Sequence, residues 1–178
     1  MKQITSIFNR YLFTGLLVGL LTAVPVGFAL GVYFLPIIVA SEGATETQII
    51  SAKENTLART SFVKNLKGSD SMHWGEGELL ISNEDGQVYA TLDGEVAPGP
   101  DYKIYLTSKF VDDKDSFLAI KQDSQKVAEV NGFKNFRTML PASTKVNDYT
   151  AVVIWCERFE KFITAGKLKI VTGLQKDI

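Results

Sequence analysis

The most extended feature of the hydrophobic pattern is an uncharged apolar segment near the N-terminus, from Leu12 to Ala40. A helix needs about 20 apolar residues to cross a bilayer, whereas the apolar part of a cleaved signal peptide is about 7–15 residues long. The 29 positions of this segment therefore predict a retained transmembrane helix over residues 12–40. Cleavage beside the small residues Ala40 and Ser41 is the alternative that the sequence leaves open.

The rest of the chain changes pattern twice. Residues 41–61 are polar and rich in Ser, Thr, Ala and Glu, which predicts a linker with one loose helical stretch around Thr47 to Arg59. From Phe62 onward, short apolar runs are separated by Gly, Pro, Asn and Asp, a pattern typical of an all-β sandwich or barrel. We therefore predict one all-β domain over residues 62–172, a single antiparallel β-sandwich or barrel-like fold, with a tail at 173–178.

Individual strands follow from the alternation of apolar and polar positions. Residues 102–107 alternate cleanly, with Tyr102, Ile104 and Leu106 on one face. The sequence Asn-Glu-Asp-Gly at 83–86 is a turn signal between two further strands. The predicted strands are 78–82, 87–92, 102–107, 117–120, 126–130, 150–155 and 167–171. The strand at 150–155 is almost entirely apolar, as expected for a strand covered on both faces.

Charged residues flank the apolar segment unevenly and predict its orientation. Lys2 and Arg10 precede the segment, and no acidic residue does. Because positive residues next to a span stay in the cytoplasm, residues 1–11 are predicted to be cytoplasmic and the β-rich domain periplasmic or extracellular. The lipid bilayer is then one partner, contacted by residues 12–40, and an envelope redox protein or another membrane protein is a candidate second partner. The domain has no basic run, which excludes a nucleic-acid-binding face.

Two stretches of the domain carry a family resemblance. The first runs from Pro98 to Leu106, where a Gly-Pro-Asp turn leads into an aromatic-aliphatic strand. The second runs from Tyr149 to Phe159 and contains Val-Ile-Trp-Cys. Further matches are His73 before Gly77, Leu140-Pro141, and the later pair Ala165 and Leu168. With these residues, the segment from about Thr60 to Val171 resembles the DM-thirteen domain, which is labelled an electron-transfer domain.

The resemblance implies a redox or electron-transfer role that centres on a recurrent cysteine. The chain departs from the family pattern after Phe159, where it reads Glu-Lys-Phe-Ile-Thr-Ala and lacks a glycine that many members carry. The turn at this point is therefore expected to differ from that of those members.

Cys156 is the only cysteine of the chain, so no intramolecular disulfide can form. Strand alternation places it on the same face as Val152 and Ile154, where the strand leaves the core. One interpretation is a catalytic redox thiol or a soft ligand for haem or a metal, with Arg158 near enough to stabilise a thiolate. The other interpretation is a small core residue, because free cysteine is among the most buried residue types.

His73 is the only histidine, and it is the second candidate cofactor ligand beside Cys156. The alternative is an ordinary loop histidine before a strand. One cysteine and one histidine do not supply the four protein ligands of a structural zinc site, so no metal site is predicted. Haem is the candidate cofactor, although the sequence leaves the cofactor's identity open.

Two functional hypotheses remain. The sequence contains no nucleophile elbow and no Gly-rich phosphate loop, so an accessory domain is favoured over a stand-alone enzyme. The leading hypothesis is a membrane-tethered redox or electron-transfer domain in which Cys156 carries the chemistry. The alternative is a non-catalytic binding or scaffold module of the cell envelope in which Cys156 is structural.

Overall fold

The N-terminal apolar segment forms one long helix in the computed structural model, which describes residues 2–171 and the side chains from Asn9 onward. Helix α1 comprises Lys2–Ile38. Its part from Asn9 to Ile38 is long and apolar enough to cross a membrane, and a signal sequence at this position would meet the same criterion. The predicted tail at 173–178 lies outside the described residues.

Two antiparallel sheets form the domain that follows this helix, which confirms the predicted all-β sandwich. One sheet contains β1 (Thr56–Phe62), β2 (Gly75–Glu84), β3 (Gln87–Val96), β6 (Arg137–Met139) and β9 (Lys169–Ile170), in the order β6-β3-β2-β1-β9. The other contains β4 (Tyr102–Thr107), β5 (Gln125–Val130), β7 (Ala151–Cys156) and β8 (Lys161–Lys167), in the order β5-β4-β7-β8.

The β2–β3 hairpin shows how the sequence dictates local structure. Glu84 pairs with Gln87 across a two-residue turn. Its residues Asp85 and Gly86 have φ values of 51° and 84°, and positive φ at both positions is the requirement of the turn that matches strand twist. Asp and Gly tolerate this conformation, so the turn predicted at 83–86 is confirmed.

The edges of the five-stranded sheet are very short strands. Strand β6 has 3 residues and pairs with β3. Strand β9 has 2 residues and pairs with β1 through Ala58 and Arg59. The long strands β1, β2 and β3 therefore lie in the interior of the sheet.

Residues 41–61, predicted to be a linker, contain ordered elements of the domain. Helix α2 (Glu46–Glu54) begins with a capping box, in which Thr45 and Gln48 each accept a hydrogen bond from the other's backbone N–H. Strand β1 follows from Thr56, so the folded unit begins before Phe62. The inward positions of β1 include Thr56 and Thr60, and these polar residues obscure the alternation that would have indicated a strand.

Two other predicted strands differ from the structure. The strand predicted at 117–120 is wrong, because Lys114–Leu118 forms the short helix α3. Its N-cap is Asp113, whose carboxylate accepts a hydrogen bond from the backbone N–H of Ser116 at 2.8 Å. The strand predicted at 167–171 is confirmed only at Lys169–Ile170, and the longer β8 before it was not predicted.

Strand β7 contributes alternate residues to two hydrophobic clusters on the two faces of its sheet. The inner cluster lies between the sheets and includes Leu79, Ile81, Ile104, Val152, Ile154 and Cys156. The outer cluster lies on the opposite face of the four-stranded sheet and includes Tyr105, Phe117, Val153, Trp155 and Phe162. The predicted alternation along β7 is therefore confirmed, and Cys156 lies on the inner face.

Candidate functional site

Cys156 lies at the end of β7, where three strands and a loop meet. It pairs with Tyr102, the first residue of β4, and with Lys161 of β8. Only 2% of the residue is exposed. Its thiol donates a hydrogen bond to the carbonyl oxygen of Pro100 at 3.0 Å, so the Gly-Pro-Asp loop before β4 holds the sulfur in place.

The thiol borders an apolar cavity of about 340 Å³, which we call the Cys156 cavity. One wall is the C-terminal part of α1, from Phe28 to Tyr33. The opposite wall belongs to the domain and consists of Met72, His73, Pro98, Gly99, Pro100, Tyr102, Cys156 and Phe159. Among these described lining residues there is no Asp, Glu, Lys or Arg, so the cavity carries no permanent charge.

The surroundings of Cys156 favour the neutral thiol. Burial raises its pKa, and the nearby Asp101 carboxylate raises it as well. The backbone N–H groups of Phe159 and Arg158 and the Arg158 charge act in the opposite direction, but they do not outweigh burial. The expected stabilisation of a thiolate by Arg158 is therefore present but insufficient, and the resting group is a protonated thiol.

His73 lies on the wall of the same cavity, so the structure brings the two sequence-predicted site residues together. Its Nδ1 is 2.9 Å from both carboxylate oxygens of Asp70. Asp70 also accepts backbone N–H bonds from Met72 and His73. Burial alone would raise the pKa of Asp70, but the His73 contact and these backbone bonds lower it. The carboxylate thus fixes the ring through Nδ1 and leaves Nε2 as the unengaged nitrogen.

Tyr102 is a cavity residue that sequence reasoning placed on one strand face with Ile104 and Leu106 without assigning it a role. It is 2% exposed, and its hydroxyl finds no hydrogen-bonding partner within the described part of the chain. Burial raises its pKa, and the adjacent Cys156 raises it further. The phenol is therefore neutral and retains a hydrogen-bond donor at the cavity. The signal that could have revealed it is its position as the first residue of β4, which pairs with Cys156 at the end of the neighbouring strand β7.

The α1 residues of the cavity could not be found from sequence. Phe28, Ala29 and Val32 precede Cys156 by more than 120 positions and read only as part of an apolar helix. Their contribution depends on how α1 lies beside the domain, which periodicity does not report.

The donor types that line this cavity suit haem, but the volume of the cavity does not. Cys156, His73 and Met72 are all residue types that ligate haem iron. The volume of about 340 Å³, however, is at the lower end of the range of about 300–1,000 Å³ for ligand pockets, which suits one ring rather than a porphyrin. Within residues 2–171 no group of three or more His, Cys, Asp or Glu side chains could hold a metal ion.

The outer face of the same sheet has a different character. Glu157, directly after Cys156, accepts a hydrogen bond from the Tyr105 hydroxyl and another from Lys121 Nζ at 2.6 Å. Burial alone would raise the pKa of Glu157, but Lys121 and Tyr105 lower it below its ordinary value. The Lys121 ammonium also lies 5.3 Å from the ring centre of Trp155. Glu157, Tyr105 and Lys121 therefore satisfy one another on this face.

Comparison with known proteins identifies the domain type. A family model described as Electron transfer DM13 matches residues 61–168, more than half of the chain. Comparison with curated proteins and with solved structures gives no match. The matched segment includes His73, Tyr102 and Cys156, so the domain wall of the Cys156 cavity lies within the matched region.

Proposed function

This chain belongs to the Electron transfer DM13 family, and on that premise we propose that it is a membrane-tethered electron-transfer domain whose reactive group is the Cys156 thiol. The family supports a general redox or electron-transfer role. The assignment of that role to one sulfur is our proposal, as is the position of the domain on the non-cytoplasmic side.

The observation that carries the proposal is the location of Cys156 on the wall of a cavity. A cysteine that served only as packing would be enclosed by core side chains on every side. Here the sulfur ends its strand and borders open apolar space shared with His73 and Tyr102. A small oxidant or redox partner group can therefore approach the thiol without unfolding the domain.

The placement of the domain follows from α1 and its flanking charges. Lys2 and Arg10 precede the candidate span, and positive flanks stay in the cytoplasm. The domain would then face an oxidising compartment, where thiols are not held reduced by the cytosolic systems. A redox thiol in that compartment needs protection, which its burial provides.

A single cysteine limits the chemistry. Oxidation by a peroxide forms a sulfur–oxygen bond and breaks the oxygen–oxygen bond, giving a sulfenic acid and water. The thiol must lose its proton before the sulfur attacks. In this proposal His73 receives that proton at Nε2, because Asp70 holds Nδ1. His73 would thus assist Cys156 as a proton acceptor.

The proposal is tested by oxidising the full chain in lipid nanodiscs with hydrogen peroxide and trapping sulfenic acid with a carbon nucleophile. We expect one trapped adduct, at Cys156, that disappears when a reductant is added before the trap. Cys156→Ser should give none, and His73→Gln should lower the rate with the fold unchanged. A Soret band in the purified protein would instead assign the cysteine to haem, and a thiol that reacts only after unfolding would refute a redox role.

The second candidate function is a non-catalytic binding module, and a specific observation favours it. Cys156 belongs to the inner cluster, its pKa is raised, and its S–H is already bonded to Pro100. These are also the properties of a packing residue. This function predicts that Cys156→Ala preserves function, whereas removal of the cavity's apolar wall abolishes it.

A further inference from the structure

We propose that the Cys156 cavity is a binding site for the head group of a lipid-soluble quinone that enters from the non-cytoplasmic leaflet of the membrane. The choice of a redox-active head group rests on the proposed function. The existence and location of the site rest on four observations of α1 and the cavity wall.

The first observation places the cavity at the membrane surface. Tyr11 and Tyr33 are 22 residues apart on α1, or about 33 Å at about 1.5 Å per residue. The hydrocarbon core is about 30 Å thick, and tyrosines prefer its two interfaces. Arg10, beside Tyr11, agrees with an inner boundary at that point. Tyr33 then marks the outer boundary, and Tyr33 is itself a cavity residue.

The second observation is the apolar rim on the domain side of the cavity. Met72 is 61% exposed and Phe159 is 49% exposed, although both belong to a domain whose other large apolar residues are mostly buried. Residues Phe28 and Ala29, which face this rim, lie below Tyr33 and therefore within the hydrocarbon. The rim thus dips into the leaflet and opens the cavity to lipid.

The third observation concerns the chemistry of the walls. The described lining residues include no Lys or Arg, so the cavity offers no permanent positive charge to a phosphate or carboxylate head group. Aromatic rings of Phe28, Tyr33, Tyr102 and Phe159 surround it, and flat rings pack against such walls. A neutral ring is therefore favoured over a phospholipid head group.

The fourth observation is the unpartnered hydroxyl of Tyr102. The residue is 2% exposed, and its hydroxyl, which lies at the cavity and has no partner among the described residues, is free to donate a hydrogen bond to a ligand oxygen. The missing side chain of Gly99 makes room for the Tyr102 hydroxyl, because a Cβ at that position would lie 2.2 Å from its oxygen. A quinone carbonyl accepts a hydrogen bond from such a donor, whereas a hydrocarbon chain does not.

The cavity also has the appropriate size. About 340 Å³ accommodates a single substituted ring within the range of small-ligand pockets. The tail of the molecule would remain in the leaflet along α1, so the ring alone needs to be enclosed.

The test uses the full chain in phosphatidylcholine nanodiscs, a photoreactive azido-quinone as probe and decylubiquinone as competitor. Labelled peptides are identified by mass spectrometry. We expect saturable labelling of the cavity peptides, lost on addition of decylubiquinone. Ala29→Phe fills the cavity from the helix side and should weaken competition more than tenfold. Leu30→Phe adds the same ring at a neighbouring position that does not line the cavity, and it should leave binding unchanged.

A second pair of variants examines the hydrogen bond. Tyr102→Phe should weaken decylubiquinone competition about fivefold, the effect of about 1 kcal/mol from one hydrogen bond. Tyr105→Phe removes a hydroxyl on the outer face of the same strand and should have no effect. Equal binding by wild type, Ala29→Phe and Tyr102→Phe would overturn the proposal, as would labelling that excess decylubiquinone does not reduce.

The outcome is separable from that of the redox proposal. Binding is measured without electron transfer, so it does not require a reactive thiol. Competition by decylubiquinone that persists with an inert Cys156 supports the site while refuting the redox role of the thiol. Absence of competition in the wild type overturns the site, whatever the thiol does.

Discussion

Two tyrosines on strand β4 occupy opposite faces of one sheet, and their hydroxyl groups differ in hydrogen bonding. Tyr105 points into the outer cluster, where its hydroxyl is bonded to Glu157. Tyr102 points inward beside Cys156, and its hydroxyl finds no partner within the described residues. The Tyr105 hydroxyl is thus used within the fold, whereas the Tyr102 hydroxyl remains available as a donor at the cavity. The comparison supports our proposal that the inner end of β4 and β7 takes a ligand, while the outer face maintains the sheet.

The largest expected effect is on the outer face. Trp155→Ala should lower the free energy of unfolding by about 3–5 kcal/mol, because it opens a void in a fully buried aromatic cluster. Urea unfolding of the full chain in detergent, followed by circular dichroism, measures this loss. Phe159→Ala is the matched change at the cavity rim, and a comparable loss there would contradict the division of roles between the two faces.

The carboxylate of Glu157 should give the next largest effect. Because its pKa is lowered in the folded protein, its contribution is present above its unfolded pKa of about 4.3 and is lost as pH falls through the folded value. Glu157→Gln should cost about 2 kcal/mol at neutral pH and remove that part of the acid dependence. Glu160→Gln, at a more exposed position of the same turn, should cost much less at the same pH.

Phenylalanine variants of the two tyrosines test the difference between the two faces directly. Tyr105→Phe should cost about 1.5 kcal/mol, because it removes a hydrogen bond to a carboxylate. Tyr102→Phe should be neutral or slightly stabilising, since the lost hydroxyl has no partner in the protein. Thermal or urea unfolding of both variants measures the change in the free energy of unfolding. A larger decrease for Tyr102→Phe would mean that the Tyr102 hydroxyl has a hydrogen-bonding partner in solution.

The smallest effect on stability, and the most specific, concerns the thiol itself. The raised pKa of Cys156 predicts an alkylation rate that increases with pH around a midpoint above the ordinary value of about 8.5. The same reaction in urea should have its midpoint near that ordinary value. The stability that the protonated thiol contributes is fully present below the pKa of Cys156 in the unfolded chain. It is lost as the pH rises through the pKa of Cys156 in the folded protein. A native midpoint below 8.5 would show a thiolate that the cavity stabilises.

Much of the domain could be predicted because its strands follow simple periodicity. The alternation at 102–107 located β4, and the turn at Asp85-Gly86 required a conformation that few residues adopt. The elements that were missed lack this signal. Inward threonines obscure β1, and the apolar run at 117–120 belongs to a helix that begins at an aspartate cap and buries Phe117.

The candidate site could be predicted from the sequence only in part. Cys156 and His73 were identifiable as the only residues of their types. Their common cavity depends on the fold that joins the loop at 72–73 to the end of β7, and on a helix wall more than 120 positions earlier in the chain. Tyr102 was assigned to one face of a predicted strand, but whether its hydroxyl has a partner depends on three-dimensional packing.

If α1 anchors the domain to a bilayer, as we propose, the short edge strands β6 and β9 affect how neighbouring copies meet. Molecules anchored to a bilayer meet in two dimensions, so neighbouring copies collide in similar orientations far more often than free proteins do. An open sheet edge offers unpaired N–H and C=O groups to each neighbour, and the usual result is intermolecular strand pairing. With only 3 and 2 residues at its edges, the larger sheet presents too short a template for such pairing between neighbouring copies.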